Sequence, residues 1–115
     1  MAQAVEELLR RLALNDEETV RTVLTPPGPT DQPVPPRLDP GTEALVRLGA
    51  LLAVGGTTAS CRLSVEQARA GGASDPEIVG VLVAVAPAIG LARVVAAAPR
   101  LALALDAELD DVPEL

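Results

Sequence analysis

Histidine, lysine, tryptophan, tyrosine and phenylalanine are all absent from these 115 residues, cysteine occurs once, and all nine basic residues are arginine. Each absence excludes chemistry. Histidine is the usual general base near neutral pH and a very common zinc ligand, so triad, general-base and metallohydrolase mechanisms lose their principal residue. One thiol cannot close an intramolecular disulfide. A single thiol with scattered carboxylates does not make a closed transition-metal site either, so neither a metal nor another cofactor is expected. Without aromatic rings there is no stacking platform for bases. A formal net charge of −7 and a pI near 4.4 argue further against nucleic acid or an anionic membrane as partner.

What is present is small and aliphatic. Hydrophobic residues make up 49% of the chain, drawn almost wholly from Ala, Leu and Val. Such side chains bury little area each, so one domain of this size has a thin core. The mean hydropathy of +0.33 leaves apolar surface for self-association. The acidic opening Met1-Ala-Gln-Ala-Val-Glu-Glu7 is followed by no hydrophobic export region, and with one cysteine the expected setting is a reducing cytoplasm. The stretch from Ile78 to Leu105 is nearly all apolar but is interrupted by Pro87, Gly90, Arg93, Pro99 and Arg100. Its uncharged part, Ile78 to Ala92, is too short to span a membrane.

Four segments follow from the punctuation. Residues 1–24 read as two short helices, with Ala4, Val5, Leu8, Leu9 and Leu12 at helical spacing and Asn15 as N-cap of the second. Residues 25–37 form a proline-rich linker, expected to lack regular structure and to be mobile or to strap a neighbouring subunit. Residues 38–106 read as a helical domain. In it Asp39-Pro40 opens a helix that ends at Gly55-Gly56, with Leu45, Leu48 and Leu52 on one face and Glu43 and Arg47 paired on another. Thr57 or Thr58 caps the next helix, which runs to Ala70 before Gly71-Gly72. Ser74-Asp-Pro-Glu77 has the pattern of a capping box, and its length and cap favour helix over buried strand for the Val-rich run that follows. A last helix runs from about Leu91 to Ala104, with a kink or restart expected at Pro99. Residues 107–115 form an acidic tail.

Two stretches of this domain, Leu38-Asp-Pro-Gly-Thr-Glu-Ala-Leu-Val-Arg-Leu-Gly-Ala-Leu-Leu-Ala-Val-Gly55 and Gly72-Ala-Ser-Asp-Pro-Glu-Ile-Val-Gly-Val-Leu-Val-Ala-Val-Ala-Pro-Ala-Ile-Gly90, resemble the carboxymuconolactone decarboxylase family, which includes alkylhydroperoxidase D-like proteins. The first resembles the family's opening helix. The second is similar to its G-x-[ST]-x-E-E-I-x-E-x-L helix and the glycine beyond. The resemblance implies an all-α helical bundle that forms homo-oligomers, often trimers or hexamers, with the chemistry on the helix that holds Cys61. Redox-active relatives carry Cys-x-x-Cys-x-x-x-His there, and decarboxylase-like members carry the His. Counted back from Ile78, the Cys slots fall on Thr57 and Ser60 and the His slot on Ser64, so every one is replaced.

The remaining candidates each read two ways. Cys61 is a reactive thiol activated by the helix N-terminus and Arg62, or a small buried hydrophobe on the stripe Cys61, Val65, Ala68. Ser64 is a catalytic or ligand-contacting residue in the histidine's place, or a helix-surface hydroxyl, since serine needs a base to attack anything. Glu66 is a substitute base and ligand contact, or a solvated helical acid. Arg93 or Arg47 fixes a ligand carboxylate with its guanidinium fork, or, for Arg93, begins a solvated face or an intersubunit salt bridge. The expectation is therefore a homo-oligomeric, catalytically degenerate family member that binds a small apolar or acidic molecule or serves as an assembly partner. The alternative is a one-cysteine thiol-dependent peroxidase or redox protein working through Cys61.

Overall fold

The computed structural model describes residues 2–26, 28 and 36–106, which form six α-helices and, among the described residues, no strand. The chain divides into two units, 1–37 and 38–115. Most of the linker segment and all of the tail lie outside the described residues, and with them the expectation about a strap.

In the first unit α1 (Ala2–Ala13) and α2 (Glu17–Leu24) are joined by a tight turn. Asn15 takes a left-handed conformation (φ 58°) and closes α1, the Asp16 N–H reaching back to the Arg11 carbonyl at 2.9 Å. The N-cap of α2 is consequently Asp16, which accepts from the Thr19 N–H at 3.1 Å. This corrects the assignment of the cap to Asn15: asparagine tolerates the left-handed region better than aspartate's neighbours here, so it ends one helix and leaves its successor to start the next.

The second unit holds α3 (Pro40–Val54), α4 (Thr58–Ala70), α5 (Asp75–Ile89) and α6 (Leu91–Ala104). Their starts are set by side chains: Asp39 caps α3 with Pro40 in its first turn, Thr57 caps α4, and Ser74 and Glu77 complete a reciprocal capping box on α5. α3 ends at Gly55, whose φ of 81° a residue with a Cβ rarely adopts. All four helices pack on one another around Leu48, Leu52, Cys61, Val65, Ala68, Ile78, Leu82, Ala97 and Leu101. Gly49 lets α5 come close, for a Cβ there would lie 3.2 Å from Val85 and 3.3 Å from Val81.

α6 runs through Pro99 as one helix, and α5 likewise contains Pro87, so proline does not divide either. Each ring removes one ladder hydrogen bond, to the carbonyls of Val83 and Val95. Those residues are 67% and 61% exposed, so the gap meets solvent rather than core. On either side of Pro99, buried Ala97, Leu101 and Ala104 hold the helix to the bundle.

Candidate functional site

Helix α4 turns Cys61, Val65 and Ala68 inward, and Cys61 is 2% exposed. Burial pushes its thiol pKa up, and the positive charge of Arg100 opposes this only in part. A thiolate nucleophile needs the reverse. Arg62 does not serve the thiol: its guanidinium faces Asp106 at 3.4 Å, tying α4 to the end of α6.

The other candidates are dispersed. Ser64 is half-buried one turn along, and Glu66 is exposed on the outer side of α4. Arg47 is exposed and ion-paired with Glu43 at 3.3 Å. Arg93 donates to the Ala53 carbonyl at 2.6 Å, one of the carbonyls left without a helical partner at the end of α3. Thr57 and Ser60, at the places counted for the paired cysteines, sit together in the first turn of α4: the Thr57 hydroxyl donates to the Ser60 hydroxyl at 3.1 Å and accepts from the Ser60 N–H. Among the described residues no carboxylate is hydrogen-bonded to either.

The residue that composition and motif did not single out is Arg100. It is half-buried, donates to the Gly56 carbonyl at 3.1 Å, and lines a cavity of about 10 Å³ together with Leu51, Leu52, Gly55, Gly56, Cys61 and Ala97. That volume holds roughly one water. Ser64, Glu66, Arg47 and Arg93 are not among its walls. Its i, i+7 spacing from Arg93 puts both arginines on one side of α6, and both reach the C-terminal end of α3. That spacing was the available signal, but its targets lie 40 and 44 residues away in the chain.

Among the described residues no three Cys, Asp or Glu side chains come together as a metal site, and no helix is long and apolar enough to cross a membrane. Compared with models of known protein families, with curated proteins and with solved structures, the chain finds no match.

Proposed function

We propose that this chain is a carboxymuconolactone decarboxylase-like protein that has lost both chemistries of that family and works as a self-associating helical module, a homo-oligomer such as a trimer or hexamer. One observation carries the association. Beyond the first turn, with its exposed acids Asp75 and Glu77, the exposed side of α5 is formed by Val79, Gly80, Val83, Ala84, Pro87 and Ala88, none of them charged. A helix of a protein that works alone puts polar groups on its outer face. In a chain of net charge −7, an uncharged face is where a second copy meets the least like-charge repulsion. Gly80, Ala84 and Ala88 would let two such helices approach closely. Leu91 at 80% exposure, with Val95, Val46 and Val54, adds apolar surface on the neighbouring helices.

The loss of catalysis is supported by the missing histidine, by hydroxyls where the family has its cysteines, and by the burial and raised pKa of Cys61. The thiol-peroxidase alternative needs an exposed, acidic thiol, and these features work against it. Light scattering on the full chain at micromolar concentration tests the proposal: a mass of several subunits is expected, and a monomer overturns it.

A further inference from the structure

The first unit, residues 1–37, has little to hold it together by itself. Its helices are short, 12 residues in α1 and 8 in α2, and isolated helices of that length are marginal in water. No described side chain in it is buried, and Leu9, Leu14, Val23 and Leu24 are each more than half exposed. A folded unit below ~40 residues usually relies on a disulfide, a metal or association. This one contains neither cysteine nor histidine, which leaves its apolar side to be covered by another surface.

The charge pattern of α1 selects that surface. Val5-Glu6-Glu7-Leu8 is followed at once by Leu9-Arg10-Arg11-Leu12, so the second half read backwards is the first half with its charges reversed. We propose that α1 pairs with α1 of a second copy, the two helices antiparallel about a twofold axis near Leu8 and Leu9. Glu6 and Glu7 of each copy then lie level with Arg10 and Arg11 of the other, and apolar residues lie level with apolar residues. A parallel pair would set acid beside acid and base beside base. A twofold contact requires such self-complementarity, and flanking charges fix the orientation of paired helices. Within one copy Glu7 already accepts from Arg10 and Arg11. Those pairs are exposed, where an isolated pair contributes little, and they use only part of each guanidinium. Glu6, exposed beside them, joins a wider network once a second copy's arginines arrive. With as many arginines as glutamates, α1 has no net charge to draw it to an anionic membrane. The helix is about 18 Å long, so the contact falls below the ~1,200 Å² of stable complexes and holds two copies only at high concentration. Light scattering at micromolar concentration therefore reads the α5 contact and not this one.

The test is disulfide trapping in the full chain at several hundred micromolar in a glutathione redox buffer, read by non-reducing electrophoresis. Chains carrying Ala2→Cys are mixed with chains carrying Ala13→Cys. Antiparallel pairing brings position 2 of one copy near position 13 of the other, so the mixed disulfide should exceed either self-disulfide several-fold. Cys61 is 2% exposed and stays outside the exchange. Glu6→Arg with Glu7→Arg in both chains should abolish the preference. Adding Arg10→Glu with Arg11→Glu, which reverses every charge of the pattern, should restore it, and that rescue separates charge matching from mere loss of helix. Val83→Glu should leave the preference unchanged, since no α5 residue takes part. Self-disulfides equal to the mixed one, a preference indifferent to the Glu6 and Glu7 substitutions, or no trapping because the apolar side is covered from within the chain would each overturn the proposal.

Discussion

Helices α4 and α5 are similar in length and feed the same core, yet their outer faces are opposites. α4 buries Cys61, Val65 and Ala68 and turns Arg62, Glu66, Gln67 and Arg69 outward. α5 buries Ile78 and Leu82 and turns Val79, Gly80, Val83, Ala84 and Pro87 outward. The outer side of α4 is mostly polar, with Leu63 its one large exposed apolar residue, whereas beyond its first turn the outer side of α5 carries no polar side chain. The difference is the basis on which self-association through α5 is proposed.

The largest expected effect comes from making the two faces alike. Val83→Glu places a charge in the middle of the apolar side of α5, and two copies meeting there would bury it without a partner. Light scattering should show the mass falling to one subunit, with helicity by circular dichroism unchanged. Glu66→Ala on the outer side of α4 should leave the mass as it was. If Val83→Glu keeps the parent mass, the outer face of α5 is not the contact.

Next in size is the face the two helices share. Ile78 and Val65 are both fully buried. Ile78→Ala should lower unfolding free energy by about 2–5 kcal/mol. Val65→Ala removes fewer carbons and should cost about 2 kcal/mol, from about 0.8 per lost CH₂ plus a cavity contribution. Denaturant midpoints measured at one protein concentration check both, since association adds to apparent stability. A cost for Ile78→Ala smaller than that for Val65→Ala would mean that α5 is not anchored as α4 is.

The same comparison explains what the sequence disclosed and what it concealed. Helix starts were legible because a cap is a local contract between a side chain and an N–H three residues on, as at Asp39, Thr57 and Ser74. The inward stripe of α4 was legible because its outer face is polar, giving the 3.6-residue period something to contrast with. α5 has no such contrast, so its sequence declares a helix without saying which side is in. The restart allowed for at Pro99 does not occur, for a related reason: the cost of one missing bond is local, whereas the packing of Ala97, Leu101 and Ala104 that outweighs it is tertiary. At the candidate site, burial of Cys61 could be read from its stripe, but the partnership of Arg100 with Gly56 spans 44 residues and no local pattern encodes it.

The smallest expected effect sets the two helices apart by pH. α5 depends at its start on ionised Glu77, whose pKa is lowered by hydrogen bonds from the Ser74 N–H and hydroxyl. A lowered folded pKa gives stability that is present above the unfolded glutamate value of about 4.3 and is lost as pH falls through the folded value. α4 has an uncharged cap in Thr57 and feels the opposite end of the scale. Cys61 has a raised pKa, so the unfolded chain releases the thiol proton first. Its contribution is whole below the unfolded thiol value of about 8.5 and is lost as pH rises from there through the folded value. Thermal unfolding across pH should therefore show an acid limb that Glu77→Gln flattens, because the amide oxygen still accepts but does not titrate. It should also show an alkaline limb that Cys61→Ala flattens. An alkaline limb undiminished in Cys61→Ala would mean that the thiol does not titrate from within the core, and the contrast between the two helices would then reside in their outer faces alone.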